Sequence, residues 1–87
     1  MALVWVPSMM RDLTRGQDRV HAPGETVAEV LDALEKTYPG FKDRLLVQGQ
    51  LAPGIMATVD GKRALRGLQQ QVAEESEIRF LPTMAGG

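Results

Sequence analysis

With 87 residues and a formal charge of −1 from ten basic and eleven acidic side chains, the chain is one small domain with no general pull toward nucleic acid or an anionic membrane. The absence of cysteine excludes disulfides, thiolate metal sites and a cysteine nucleophile. The apolar opening, residues 1–10, is too short to span a bilayer and lacks the positive segment of a signal peptide, so a cytoplasmic protein is expected.

Leu3-Val4-Trp5-Val6 is β-branched and aromatic and is closed by Pro7, which predicts a first strand. Alternation sets Val4 and Val6 on one face and Leu3 and Trp5 on the other. Met10 and Leu13 carry apolar character into the connection, and Gly16-Gln17-Asp18 reads as a turn. A second strand, antiparallel to the first, is expected over residues 18–22, ended by Pro23-Gly24.

Thr26-Val27-Ala28-Glu29 is a capping box, in which Thr26 caps a helix and Glu29 reaches back to it. Val27, Val30, Leu31, Leu34 and Tyr38 then recur at helical spacing, so one stripe faces a core. Glu25, Glu29, Asp32, Glu35 and Lys36 lie off that stripe. Pro39-Gly40 stops the helix. Phe41, Leu45 and Leu46 suggest a further short turn on the core, and Gln48 to Gly54, with two glycines and Pro53, reads as a loop.

Ile55 to Val59 is a strand, and Asp60-Gly61 is a strong two-residue hairpin signal. A short strand returns over Lys62 to Leu65. Gly67-Leu68 and the glutamine-rich residues 69–71 bring the chain round, and Glu77 to Leu81 forms the last strand. Four or five strands with one main helix is an α+β pattern in which the helix covers a single sheet face. The other face is left to solvent or a partner.

The chain divides into a body, residues 1–81, and a flexible tail, residues 82–87. Pro82 cannot donate to a ladder, so regular pairing should stop there or continue only at an edge. Six residues reach roughly 20 Å when extended, enough to place the Gly87 carboxylate in another protein's active site. Gly86 and Gly87 have no side chain to obstruct a narrow channel. A frayed end also collects small residues; the distinction is whether the body is a scaffold that presents such a tail.

The element order, the Val59-Asp60-Gly61 hairpin and above all the ending Ile78-Arg79-Phe80-Leu81-Pro82-Thr83-Met84-Ala85-Gly86-Gly87 resemble the ubiquitin-like sulfur carriers. These include the small subunit of molybdopterin synthase, the thiamine-pathway carrier and the carrier of a cysteine-biosynthesis route. Val4-Trp5-Val6-Pro7-Ser8, Arg15-Gly16-Gln17 and Leu34-Glu35-Lys36-Thr37-Tyr38-Pro39-Gly40 look most similar to the cysteine-pathway carrier. The chain departs from the pattern at Glu75-Ser76, where Gly-Asp is common, and at Pro82-Thr83-Met84, where Pro-Pro-Val or Pro-Ala-Val is common.

The resemblance implies a β-grasp fold with a mixed sheet of four or five strands and one main helix. It further implies a protein co-substrate rather than an enzyme. An E1-like activating enzyme would adenylate Gly87 with ATP, and a persulfide would convert it to a thiocarboxylate, a strong sulfur nucleophile. In the cysteine route the acceptor is an aminoacrylate on a pyridoxal phosphate enzyme, and a zinc metallopeptidase releases cysteine. ATP, pyridoxal phosphate and zinc belong to those partners, and no cofactor site is expected in this chain. Molybdopterin assembly, with the large synthase subunit as partner, and the thiamine pathway are alternatives. A modifier that forms isopeptide bonds to lysines through Gly87, and an interaction module with an incidental tail, are the other classes.

In β-grasp folds the first and last strands are neighbours, so an outward Trp5 would lie near Arg79 and Leu81. Such a patch suits a partner interface, whereas the opposite register would put Trp5 in the core. Pro82, Met84 and Ala85 are the tail's candidate partner contacts, Met84 by seating an apolar side chain in a groove. His21 has no second histidine to form a metal site and reads as an ordinary strand residue. Glu74, Glu75 and Glu77 read as a solvated corner or a docking patch, and Lys62, Arg63 and Arg66 as hairpin solubility or contacts to an acidic groove. Serines and threonines form no hydrolytic constellation.

Overall fold

The structure is a computed structural model that describes residues 1–83. Its elements follow in the order β1 (Ala2–Trp5), a 3-10 turn (Ser8–Met10), β2 (Arg19–Ala22), α1 (Val27–Thr37), α2 (Phe41–Leu45), β3 (Leu46–Val47), β4 (Gln50–Leu51), β5 (Ile55–Val59), β6 (Lys62–Arg63), a second 3-10 turn (Gly67–Gln69) and β7 (Glu77–Pro82). Five strands form one sheet in the order β2-β1-β7-β5-β6, and β3 and β4 form a separate pair. Among the described residues only β1 and β7 run parallel, and they bring the first and last strands together at the centre. The fold is α+β, as the element order predicts, and is the mixed five-stranded sheet with one main helix that the resemblance implies.

One face of the sheet and the stripe of α1 make the core. Val4, Val6, Val20, Ala57, Ile78 and Phe80 meet Val27, Val30, Leu31 and Leu34, with Phe41 and Leu45 closing one side. Each fully buried aliphatic side chain contributes about 1.5–3 kcal/mol. Alternation is strict in β1 and β2, where residues are in turn buried and accessible. Val4 and Val6 therefore face α1, and Trp5 does not.

Helix α1 begins as its sequence dictates: the Thr26 hydroxyl accepts from Glu29 N–H at 3.2 Å. The Glu29 carboxylate reaches back one residue further than the expected box, accepting from Glu25 N–H at 3.0 Å. Thr26 is extended and bridges to Gln71, the bonds of that bridge running from Val27 N–H to the Gln70 carbonyl and from Val72 N–H to the Glu25 carbonyl, both at 3.0 Å. At the other end Gly40 takes φ 98° and the helix stops. Glu35, off the apolar stripe, caps α2 by accepting from Gly40 N–H at 2.9 Å and Lys42 N–H at 2.8 Å. Those two N–H groups hold its carboxyl below the ordinary value.

Three segments differ from the sequence reading. Gln48 to Gly54 is not all loop: Leu46–Leu51 and Val47–Gln50 pair as a hairpin. Gln48 (φ 52°) and Gly49 (φ 77°) turn it with the same positive angles as Asp60 (φ 53°) and Gly61 (φ 81°). Glutamine is an unusual residue at such a position, which hid the turn. The strand expected over residues 62–65 forms at Lys62 and Arg63, Ala64 N–H still donates to the Ala57 carbonyl at 2.8 Å, and Leu65 is 87% exposed.

The last strand extends to Pro82, which lies opposite Ile55. Hydrogen bonds from Thr83 N–H to the Gly54 carbonyl and from Asp60 N–H to the Glu77 carbonyl, both 2.8 Å, mark the bonded positions of the β5–β7 ladder. Pro82 falls on the alternate position, so its missing N–H points away from β5. On that side β1 has already ended at Trp5. No neighbour lacks a donor, and β7 behaves there as an edge.

Candidate docking face and tail exit

The sheet face turned away from α1 is built by alternation alone. Trp5 stands on β1 between Arg19 of β2, its cross-strand partner, and Arg79 of β7. The Arg79 guanidinium lies 4.3 Å from the indole centroid and that of Arg19 lies 5.3 Å away. Cation–π contacts at such partly exposed sites contribute about 0.5–1 kcal/mol each. The indole Nε1–H donates to the Glu77 carboxylate at 3.0 Å, and Glu77 is 3.9 Å from Arg79 Nη2. Trp5 is thus held rigidly on the accessible face, half-buried by two arginines.

Leu81 shares that face. It pairs with Met56 of β5 and is 38% exposed. The expected neighbourhood of Trp5 and Arg79 is present, and Leu81 lies further along the same strand. Pro82, opposite Ile55, points to the other side. There it lines an apolar groove with Met9, Met10, Leu45, Ile55 and Phe80, whose rim carries the 80% exposed Met9. Met84, Ala85, Gly86 and Gly87 lie outside the described residues. The chain reaches them from Thr83, which is fixed to Gly54 through its N–H.

The start of β7 is anchored with equal care. Asp60 accepts from Glu77 N–H at 2.9 Å and from the Ser76 hydroxyl at 2.8 Å, and that hydroxyl accepts from Ala73 N–H at 2.8 Å. Ser76 is buried. These bonds tie the Glu75-Ser76 turn and the start of the last strand to the β5–β6 hairpin. Glu74 points elsewhere and accepts from the Met1 ammonium at 2.9 Å, which lowers its pKa. Glu74 and Glu77 are thus engaged separately, by the Met1 ammonium and the Trp5 indole.

His21 is exposed on β2, opposite Leu3. Lys62 and Arg63 diverge: Lys62 pairs with Val59 and Arg63 with Thr58, so only Arg63 joins the Trp5 face. Reading residues alone had not linked Arg19, Thr58 or Arg63 to Trp5. Alternation within β2 and the antiparallel register with β1 carried enough information to find Arg19. Among the described residues, no helix is long and apolar enough to cross a membrane.

Comparison with known proteins agrees with this geometry. Residues 4–87 match the ThiS family. The chain is 32% identical to the sulfur carrier protein CysO of Mycobacterium tuberculosis over 91 aligned positions, covering 97% of this chain and 96% of that one. A chain in the crystal structure of the Amycolatopsis orientalis BexX/CysO complex superposes with a TM-score of 0.90 at 31% identity, covering all of both chains. Mycobacterium tuberculosis CysO gives 0.88 at 29% identity, over 97% of this chain and 100% of that one. The small archaeal modifier protein 1 of Methanosarcina acetivorans gives 0.78 at 26% identity, over 99% and 95%. The chain belongs to the ThiS family of ubiquitin-like sulfur carriers.

Proposed function

We propose that this chain carries sulfur on its own C-terminal carboxyl as a protein co-substrate of cysteine biosynthesis. The observation that carries the reading is the end-to-end similarity to CysO at 32% identity, in a chain that itself ends Ala85-Gly86-Gly87. An E1-like enzyme joins the Gly87 carboxylate to the α-phosphate of ATP and releases pyrophosphate. This step is required because a carboxylate is a poor electrophile and the acyl adenylate is a good one. A persulfide sulfur then displaces AMP, and thiol reduction of the resulting acyl disulfide leaves the thiocarboxylate. Fixing that sulfur to a protein keeps sulfide from diffusing away and raises its effective concentration at the acceptor.

Each part of the chain has a task in this scheme. Gly86 and Gly87 enter the active site, Pro82, Met84 and Ala85 line the approach, and Trp5, Arg79 and Leu81 dock the body. The rigid β7 sets the direction in which the tail leaves. ATP, pyridoxal phosphate and zinc are held by the partners: the adenylyltransferase, the cysteine synthase and the metallopeptidase. All of these steps take place in the cytoplasm. Molybdopterin synthase or the thiamine pathway would use the same terminal chemistry with another acceptor.

A second reading, a modifier that forms isopeptide bonds through Gly87, is favoured by the similarity to an archaeal modifier protein. The two diverge after adenylation. With the host's activating enzyme and ATP, pyrophosphate exchange should require Gly87. With a sulfur source and the pyridoxal phosphate synthase added, the carrier reading expects cysteine to appear on the tail. Conjugates on lysines of other proteins, without loaded sulfur, would support the modifier. Undiminished exchange after removal of Gly87 would contradict both.

A further inference from the structure

We propose that the face around Trp5 binds an acidic segment of a partner protein, flanked by apolar residues, through a row of three arginines. The row crosses every strand of the sheet: Arg19 on β2, Trp5 on β1, Arg79 on β7, Thr58 on β5 and Arg63 on β6. Arg19–Trp5, Thr58–Arg79 and Thr58–Arg63 are cross-strand pairs, and Arg79 covers the Trp5 ring. Directly opposed residues share a face, so all five side chains stand in one line. Thr58 is buried, on the strand between those that carry Arg79 and Arg63.

Neighbouring strands are about 4.8 Å apart, which spaces successive arginines by about 10 Å along the row. Carboxylates at i and i+7 of a helix are about 10.5 Å apart. An acidic helix laid across the strands therefore meets the arginines in register. Beside the row, Met56 and Leu81 form an apolar pair, which fits the apolar flank of an amphipathic helix.

Charge supports the same occupant. The chain has a net charge of −1, yet this face presents Arg19, Arg63, Arg79 and His21 against Glu77, already engaged by Trp5, and Asp18, 3.5 Å from Arg19 Nε at the edge of the sheet. Glu25, Glu29, Asp32, Glu35 and Asp43 belong to the helical side. An acidic protein segment uses both the arginines and the Met56–Leu81 pair, whereas a phosphate backbone leaves the apolar pair unused and meets a net anionic chain. The inference rests on the reading of this face as the docking side, and names the chemistry of what docks.

The test is a titration of the isotope-labelled full chain with a synthetic amphipathic peptide carrying Glu at i and i+7 beside leucines. Amide shifts should be confined to this face, at Arg19, Trp5, Thr58, Arg63 and Arg79 and at the Met56–Leu81 pair. Arg63→Glu should weaken binding about tenfold at low salt, with the gap closing as salt rises. Arg63 lies on a short edge strand and pairs with no carboxylate among the described residues, and a urea midpoint confirms that the variant folds. If it does not fold, Arg19→Gln replaces it, with a smaller loss expected. Absent binding, shifts on the α1 side, or tighter binding of a single-stranded oligonucleotide or of the peptide with Lys for Glu overturns the proposal. The titration needs neither Gly87 nor an activating enzyme. A chain that binds the peptide but never loads sulfur therefore fails only the sulfur-carrier reading.

Discussion

The guanidinium of Arg79 lies 4.3 Å from the centre of the Trp5 ring, and both residues stand on the sheet face that α1 leaves open. The pair links the first strand to the last one, directly before the tail. It also makes a rigid aromatic anchor of a residue whose loss the core would tolerate. Trp5→Ala should cost about 1–2 kcal/mol of stability while weakening binding to the activating enzyme at least tenfold. Urea unfolding and calorimetric titration check the two effects separately. Global unfolding of the variant would make Trp5 a core residue.

Gly24 takes φ 151°, and a Cβ built there would lie 2.6 Å from the backbone nitrogen of Val30 and 2.8 Å from its Cγ2. The loop entering α1 passes too close to the helix for any side chain. Gly24→Ala should therefore destabilise by about 2 kcal/mol or more. A shift of the urea midpoint at unchanged slope would show it.

The N-terminus of α1 offers a milder change. Thr26→Ala removes the acceptor for Glu29 N–H and should cost about 1 kcal/mol. Thr26→Ser keeps the acceptor and should lose far less. Loss of equal size in both variants, read by thermal or urea unfolding, would mean that the hydroxyl is not the source of the stability.

Acid unfolding should report the second helix. The N–H groups of Gly40 and Lys42 hold Glu35 below its ordinary value of 4.5, and Arg44 holds Asp12 below 3.8. Folded values below unfolded ones mean that this stability is complete above about pH 4.5 and is lost as pH falls through the folded values. Asp12 is exposed and Glu35 half-buried, so solvent screens the effect. Glu35→Gln should lower the urea midpoint at pH 7 and flatten its decline between pH 5 and 3. Lys42 has the opposite sign: Asp32 raises its pKa above 10.5, so its contribution is lost as pH rises past the folded value.

Much of the body was legible because its signals are local. The alternation of β1, the stripe of α1 and the Asp60-Gly61 turn each lie within a few residues, and each formed as expected. The Gln48-Gly49 hairpin was hidden because glutamine rarely takes positive φ. The pairing of Pro82 depended on which position of the ladder it occupies, and that follows from register rather than composition. The arginine row was least visible. Its members lie on five strands scattered between Trp5 and Arg79 in sequence, and only the strand order β2-β1-β7-β5-β6 brings them into line.

The central claim concerns one atom at the end of the chain, and intact mass spectrometry tests it most directly. After incubation with the host's activating enzyme, ATP and a persulfide donor, the protein should gain the mass of one oxygen-to-sulfur exchange, and fragmentation should localise it to Gly87. The gain should vanish when ATP is omitted or Gly87 is deleted. An unchanged mass under these conditions, with sulfur transfer to the acceptor still proceeding from a chain lacking Gly87, would contradict the account.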